Sequence, residues 1–324
     1  MTMHDPIRPS DSSGKPSSLI ERASEMYDFR KSLGQGTPDL PDALPVAEPA
    51  APVAEPTNSA PAPVPASAPA PRPIARAYSS LPVAAIDRDR LREAAFIVPD
   101  GPVTSISEEF RIVKRRLLAS IQAEANAGLG AAAQRILICS AQPNEGKTYS
   151  AINLALSIAT EQDHDVLLVD ADFAKPSILS SLGIEGKRGL MDALANPNVA
   201  VEECIIPTDI RGLSILPAGR QTNTDSEYLA SARTTEVLAR LTEGHPGRIV
   251  IFDSPPLLAA SPAATLAQHV GHALVIVRAD VTSERALRDA LGLISGCNQI
   301  QLLLNGVKFS PTGRSFGSYY GYGE

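Results

Sequence analysis

Short apolar runs recur through the last two-thirds of the chain, separated by stretches with helical character. None of the six runs shows the alternation of apolar and polar residues that marks a half-exposed strand, so each predicts a strand covered on both faces. They occupy residues 135–140 (RILICS), 166–170 (VLLVD), 213–216 (LSIL), 249–253 (IVIFD), 273–277 (ALVIV) and 301–307 (QLLLNGV). Strands that alternate with helices favour a mostly parallel β-sheet flanked by helices, and we predict one α/β domain over residues 104–308.

A helix is predicted before the first of these strands. The segment SEEFRIVKRRLLASIQAEA begins at Ser107, whose hydroxyl suits a helix N-cap. Glu108 and Glu109 then lie in the first turn, where the helix dipole favours acidic side chains. A Gly/Ala-rich loop at 127–133 connects this helix to the strand at 135–140.

The first hundred residues have a different composition. Residues 38–82 contain 13 of the 28 prolines, and such a stretch buries too little apolar surface to offset the entropy of ordering. We therefore predict a disordered Pro/Ala-rich linker over 36–103. The segment before it, 1–35, has apolar residues at helical spacing within 18–29, which fits either a docking helix for a partner or a marginal helix without function.

Charge and composition exclude several classes of protein. The formal net charge is −7, so no basic field over the whole chain attracts phosphates, and we expect no nucleic-acid partner. The opening MTMHDPIRPSDSSGK lacks the apolar region of a secretory signal, and no stretch approaches the roughly 18 apolar residues that span a bilayer. Three cysteines lie far apart without metal-site spacing, as in a reducing cytoplasm. We expect a cytoplasmic protein that reaches the membrane through a partner.

A phosphate-binding loop follows the first strand. Residues 141–148 read AQPNEGKT and precede the apolar helix YSAINLALSIAT, which matches the P-loop pattern except that Ala replaces the first Gly. Gly146 lets the backbone approach phosphates at a helix N-terminus, and Asn144 tolerates a left-handed conformation. Lys147 neutralises phosphate charge, and Thr148 offers a hydroxyl to Mg²⁺. A chance turn of this sequence between a strand and a helix is a remote alternative.

Acidic residues end two of the predicted strands. Asp170 and Asp172 lie in LLVDAD, and Asp253 ends IVIFD. Because the carboxyl ends of parallel strands meet at one edge of the sheet, these carboxylates are expected beside the P-loop. There they can bind Mg²⁺ directly or through water, and one can accept a hydroxyl proton during phosphoryl transfer. Simple capping of strand ends by acids is the alternative.

At these residues the sequence resembles a known family. The runs AQPNEGKT, VDADFAKP and IFDSPPLL look like the Walker A, A′ and B motifs of bacterial tyrosine kinases, the autokinases of capsule and exopolysaccharide synthesis related to the MinD/ParA ATPases. The resemblance covers about residues 104–324. The run SLIERA, the long linker and DADFAKPS look most like the subgroup associated with exosortase systems.

The resemblance implies an ATP and Mg²⁺ site and an enzyme that transfers phosphate to protein tyrosine. Asp170 is the implied proton acceptor, with Asp172 and Asp253 in the Mg²⁺ shell together with Thr148. Lys147 completes the implied catalytic set. The residues implied at the nucleotide are Asn144, Glu145, Gly146, Lys147, Thr148, Tyr149 and Asn305. For Asn305, a turn before Gly306 is almost as good an interpretation. The chain departs from the family at Asn144, where most members carry Gly, and at Ala174, where most carry Arg.

Two further features bear on assembly and substrate. Glu108, Arg111 and Lys114 resemble the family's E-x-x-R-x-x-R helix, which implies contact between subunits of a homo-oligomer; a solvated charged face is the alternative. The last residues, 309–324, are predicted to form a flexible Gly/Tyr-rich tail. The resemblance implies that its tyrosines are phosphoacceptors, whereas by itself the tail is an unremarkable low-complexity end. These tyrosines are Tyr319, Tyr320 and Tyr322.

The function predicted is therefore an ATP-dependent tyrosine autokinase that regulates exopolysaccharide synthesis or export beside a membrane-embedded chain-length or export partner. One alternative is a MinD/ParA-like ATPase without kinase activity. Those proteins usually carry a second lysine near the start of the P-loop, where this chain has Gln142. The other alternative is a nucleotide-binding regulatory scaffold.

Overall fold

The computed structural model describes residues 82–128, 130–186 and 188–307, and all structural statements refer to these residues. The predicted N-terminal segment, most of the predicted linker and the tyrosines of the tail lie outside them. In the described part of the chain, no helix is both long and apolar enough to cross a membrane.

A seven-stranded sheet forms the centre of the fold, in the order β3-β4-β2-β5-β1-β6-β7. All neighbouring strands are parallel except β3 and β4, which are antiparallel. The strands are β1 Arg135–Ser140, β2 Asp165–Asp170, β3 Ile206–Pro207, β4 Leu213–Leu216, β5 Arg248–Asp253, β6 His272–Arg278 and β7 Gln299–Asn305. The prediction of an α/β fold with a mostly parallel sheet is confirmed.

Helices cover both faces of the sheet. They are α1 Arg88–Glu93, α2 Ser105–Asn126, α3 Lys147–Ile158, α4 Ile178–Leu182, α5 Leu190–Ala195, α6 Asp225–Leu229, α7 Ala232–Arg240, α8 Pro262–Leu266 and α9 Glu284–Leu293. Alternate residues of β1 enter separate cores, because successive side chains point to opposite faces. Leu137 packs with α5, α7 and α9, whereas Ile136 and Ile138 pack with α2 and α3.

The start of α2 differs from the prediction. The helix begins at Ser105, and its N-cap is Thr104 rather than Ser107. Thr104 Oγ1 accepts from the Ser107 backbone N–H at 3.2 Å, while the Thr104 N–H donates to Ser107 Oγ at 2.8 Å. Ser107 therefore occupies the third helical position of a reciprocal capping box, an arrangement in which both hydroxyl residues satisfy backbone donors.

The linker was predicted to reach residue 103, and this is wrong for residues 82–103. Here α1 forms, and Ile86, Leu91 and Ile97 are buried in the core beside α3 and α4. These three well-spaced apolar residues supply the buried surface that holds the segment on the domain. We call residues 82–98 the strap.

The strap contacts two elements that lead to the P-loop edge. At its first half, the Asp87 N–H donates to Leu182 O at the end of α4, and Arg88 pairs with Asp209 at 2.8 Å. At its second half, the Ile97 N–H donates to Asn153 Oδ1 on α3 at 2.8 Å, in a buried position. The strap thus joins α3 and α4 from outside the sheet.

Candidate active site

The loop between β1 and α3 has the backbone geometry of an anion cradle. Asn144 has φ +61°, as predicted for a left-handed residue, and Gly146, the N-cap of α3, has φ +97°. Glu145 is 1% exposed and holds the loop from inside, because its carboxylate accepts from the Gln142 N–H at 2.7 Å and from the Thr282 hydroxyl. The loop therefore presents the N-terminal amides of α3 to the carboxyl edge of the sheet.

Gly146 is required by space as well as by conformation. Asn305, at the end of β7, donates from Nδ2 to Glu145 O at 2.9 Å. A Cβ atom on residue 146 would lie 2.1 Å from that nitrogen, so a larger side chain would displace the Asn305 amide and break this hydrogen bond. The structure places the Asn305 side chain against the backbone of the P-loop, and its assignment to the nucleotide remains a prediction.

Lys147 and Thr148 lie beside the carboxylate of Asp253. The Thr148 hydroxyl donates to Asp253 Oδ2 at 2.6 Å. Asp253 is 1% exposed, and its other oxygen, Oδ1, has no hydrogen-bond partner among the described residues. Burial lowers the pKa of Lys147, while the charges of Asp253 and Asp172 oppose that shift. Burial raises the pKa of Asp253 to about 7.

Asp170 is held by backbone amides. Its Oδ2 accepts from the N–H groups of Ser177 at 2.9 Å and Ile178 at 3.0 Å, at the start of α4, and its Oδ1 accepts from Asp172 N at 3.3 Å. Burial nevertheless raises the pKa of Asp170 to about 6, although these hydrogen bonds lower it. Asp170 is 1% exposed and lines a small cavity of about 250 Å³.

An open cleft of about 550 Å³ lies over the P-loop, a volume typical of small-molecule sites. Asp172, Ala174 and Lys175 form one wall. Asp172 Oδ1 accepts from Lys175 N at 3.1 Å, which closes a turn. Lys175 is exposed on the cleft, beside Ala174.

Two residues of the site were missed from the sequence. Ser177 lies with its Oγ 3.4 Å from Thr148 Oγ1 and its backbone N–H on Asp170. Arg278 ends β6 and donates to Asn144 O at 2.8 Å, which bonds the P-loop to the neighbouring strand end. Arg278 could have been found by the rule that located the acids, since it also lies at the carboxyl end of a strand.

Tyr149 was assigned to the nucleotide, and in the structure its side chain contacts the strap. Its hydroxyl donates to Ala95 O in the strap at 2.8 Å, and its ring stacks on Phe96 with centroids 5.3 Å apart. Tyr149 also forms part of the cleft wall. The side chain therefore ties the strap to α3, and its backbone N–H remains at the first turn of the P-loop helix.

Lys114 was assigned to a contact between subunits, and the structure places its side chain against its own chain instead. The residue is 4% exposed, and its Nζ donates to Ser157 O at 2.9 Å and pairs with Glu161 at 2.5 Å. Lys114 thus binds the C-terminal end of α3 within the same chain, where a cation complements the helix dipole. Glu108 and Arg111 form an ion pair on the more exposed side of α2.

The residues present fit a magnesium ion with a nucleotide. Thr148, Asp172 and Asp253 offer oxygen ligands, and Oδ1 of Asp253 is a buried acceptor without a hydrogen-bond partner among the described residues. Among the described residues, no group of three or more His, Cys, Asp or Glu side chains could hold a metal alone. Mg²⁺ commonly binds one or two carboxylates and completes its shell with phosphate and water, which matches this donor set.

Comparison with known proteins supports this geometry. The tyrosine-protein kinase Wzc of Salmonella typhimurium is 27% identical over 236 residues, 72% of this chain and 31% of Wzc. The tyrosine-protein kinase YwqD of Bacillus subtilis is 27% identical over 224 residues, 68% of this chain and 87% of YwqD. The chain spans about a third of the length of Wzc. The predicted resemblance to bacterial tyrosine kinases is confirmed as sequence similarity, and these matches do not distinguish the exosortase-associated subgroup.

The fold is likewise found in solved structures. The kinase domain of the Escherichia coli tyrosine kinase Etk superposes with a TM-score of 0.56 at 22% identity, covering 78% of this chain and 100% of that domain. At this identity the likeness concerns the fold. Residues 133–305, more than half of the chain, match the family model AAA_31, an AAA domain. This match covers β1 to β7 with the P-loop between β1 and α3, and the chain therefore belongs to the AAA_31 family and has the α/β fold of P-loop NTPases.

Proposed function

We propose that this chain is an ATP-dependent protein-tyrosine kinase that uses Mg²⁺ and phosphorylates its own tyrosines Tyr319, Tyr320 and Tyr322. The observation that carries the proposal is the joint placement of Lys147, Thr148 and Asp253 at one sheet edge. The similarity to tyrosine-protein kinases over 72% of the chain supports tyrosine as the acceptor.

Each residue of the cradle has a part in phosphoryl transfer. The amides of 144–148 and the ammonium group of Lys147 bind and orient the phosphates, and so stabilise the charge that spreads over the transferred group. Thr148, Asp172 and Asp253 would hold Mg²⁺, which when bound neutralises phosphate charge. Lys175 would add a second cation from the cleft wall in place of the arginine that Ala174 replaces.

Asp170 is proposed to accept the phenol proton. A general base works best when its pKa lies near the working pH, and burial raises that of Asp170 to about 6. The acceptor side chain would reach Asp170 from the small cavity that this residue lines. The three amide bonds to Asp170 fix its orientation, so the same contacts that position α4 also aim the base.

An ATPase without kinase activity is the competing function. Gln142 occupies the position at which MinD/ParA-like proteins usually carry a second lysine, and its side chain is exposed rather than part of the cradle. A regulatory scaffold would need the site to be incomplete, whereas the P-loop, its lysine, the hydroxyl and the acids are all present. Both observations favour the kinase.

Purified protein incubated with Mg-ATP should acquire phosphotyrosine within its last six residues, as detected by mass spectrometry of the C-terminal peptide. Lys147→Met should abolish the transfer, because it removes the cation at the phosphates, while circular dichroism shows an unchanged fold. Exposed Lys175→Met is the matched control and should reduce the rate only partly. ATP hydrolysis with an unmodified tail, even beside a cognate membrane partner, would contradict the proposal.

The setting of the kinase is also proposed. We infer a regulator of exopolysaccharide synthesis or export in the cytoplasm, brought to the inner face of the membrane by a membrane-embedded chain-length or export partner. The run SLIERA, the Pro-rich linker and DADFAKPS support the exosortase-associated subgroup. Co-purification of the full chain with such a partner from detergent extracts would test this, and a chain found only in soluble fractions would contradict it.

A further inference from the structure

The two edges of the sheet are protected very differently. At one edge, β3 has only two residues, one of which is Pro207, and Ala84 of the strap forms a bridge with Thr208 beside it. Short length, proline and a covering segment are common ways in which proteins prevent an edge strand from pairing. At the other edge, β7 has seven residues, QIQLLLN, with neither charge nor proline. In the part of the chain that the structure describes, no strand pairs with its outer side.

Hydrogen bonds to β6 show which backbone groups of β7 face outward. Gln299 N donates to Gly271 O, and Asn305 O accepts from Ala279 N, so these two residues face the sheet. Within a strand, the N–H and C=O of one residue point the same way and those of the next point the opposite way. The outward N–H and C=O groups therefore belong to Ile300, Leu302 and Leu304.

The same three residues carry exposed apolar side chains. Ile300 is 36% exposed, Leu302 55% and Leu304 59%, and all three lie on one face because they are two residues apart. Leu303, between them, packs against the core on the other face. An edge with free backbone groups and a row of apolar side chains is suited to pairing with another strand.

We propose that β7 pairs with β7 of a second copy of this chain, antiparallel, about a twofold axis at Leu302. In this register Leu302 faces Leu302 of the other copy, and each Ile300 faces a Leu304. Each outward N–H and C=O of these residues then finds a partner, and the six side chains form one apolar row. Because β7 is uncharged, no like charges oppose one another across the axis.

A second copy fits this edge better than the residues that follow β7. The sequence after Val307, KFSPTGRSFGSYYGYGE, contains a proline and four glycines, which disfavour strand formation. One strand edge and three side chains per copy form a small interface, below the roughly 1,200 Å² of total buried area found in stable complexes. The pairing should therefore be weak and concentration-dependent unless other contacts add to it.

Single cysteines test both the pairing and its register in the full chain. The native cysteines Cys139, Cys204 and Cys297 are buried and should not cross-link, so the substitutions can be made in the wild-type sequence. Leu302→Cys oxidised with copper phenanthroline should give a disulfide-linked dimer on a non-reducing gel. Leu304→Cys is the matched control and should stay monomeric, because its two copies lie about 13 Å apart, four residues along the paired strand. A mixture of Ile300→Cys and Leu304→Cys should cross-link again.

Two results would overturn the proposal. Equal cross-linking of Leu302→Cys and Leu304→Cys would mean random collision, without the twofold register. A Leu302→Cys chain that stays monomeric, whether or not maleimide labels its thiol, would mean that β7 is free or is covered within the chain. Melting temperatures of the reduced variants should match that of the wild type, which confirms that each is folded.

Discussion

At the scale of single residues, the site buries two carboxylates away from the water that would stabilise their charged form. Burial raises the pKa of Asp253 to about 7 and that of Asp170 to about 6. Both values lie above those of the unfolded chain, so between pH 4 and pH 7 the unfolded state binds fewer protons. The free energy of unfolding of the protein without nucleotide should therefore fall as pH rises through this window.

Asp253→Asn tests this pH dependence. Asparagine keeps an acceptor for the Thr148 hydroxyl but cannot ionise, so the decline in stability between pH 5 and pH 8 should shrink by on the order of 3 kcal/mol. Urea denaturation at the two pH values, without nucleotide or Mg²⁺, measures it. Asp163→Asn, at an exposed aspartate, should keep the wild-type decline. Equal declines in all three proteins would show that Asp253 is ionised when the site is empty.

At the scale of helices and strands, the strap is held on α3 by a hydrogen bond to Asn153. Asn153→Ala should cost about 1–3 kcal/mol of stability, because the buried N–H of Ile97 then lacks its acceptor. Amide exchange over residues 91–98 should accelerate as well, as the strap loses its contact with the helix. Asn126→Ala, at the exposed end of α2, is the control and should leave both unchanged. Unchanged exchange in Asn153→Ala would show that Tyr149 and the apolar contacts alone hold the strap.

Lys114 joins α2 to α3, and its substitution can be compared with that of an exposed neighbour on the same helix. Lys114→Met should destabilise the protein by about 1–3 kcal/mol, because the carbonyl of Ser157 loses its charged donor in a buried position. Arg115→Met, one residue further and exposed, should change the melting temperature little. A thermal denaturation series compares the two. If Lys114→Met had the melting temperature of the wild type but a lower oligomer mass, the data would favour a contact between subunits at this residue.

At the scale of the whole molecule, Glu108 and Arg111 remain the candidates for subunit contact on α2. The exchange Glu108→Lys/Arg111→Glu keeps an ion pair within the helix but reverses the charges offered to a neighbour. We expect the oligomer to shift towards monomer, as measured by light scattering, with the melting temperature nearly unchanged. Arg116→Glu is the control for charge. An unchanged mass would identify this face of α2 as a solvated surface.

Local patterns located most of the elements and most of the site. The apolar runs gave six of the seven strands, because strands buried on both faces must be apolar throughout. The strand β3 was missed since its two residues carry too little pattern and include Pro207. The P-loop and the acids at 170, 172 and 253 were found because the rule of parallel strand ends depends on sequence order alone.

The sequence by itself therefore determined most of the strands, the P-loop and the conformation of Asn144, since each follows from the pattern of residues near one another in the chain. Only the tertiary structure decided the rest. It showed that Lys114 is buried against α3, that Asn305 touches the P-loop 160 residues away and that residues 82–98 bind α3 and α4. Such contacts join residues far apart in sequence, and whether a charge faces a partner or a helix end depends on how the elements pack.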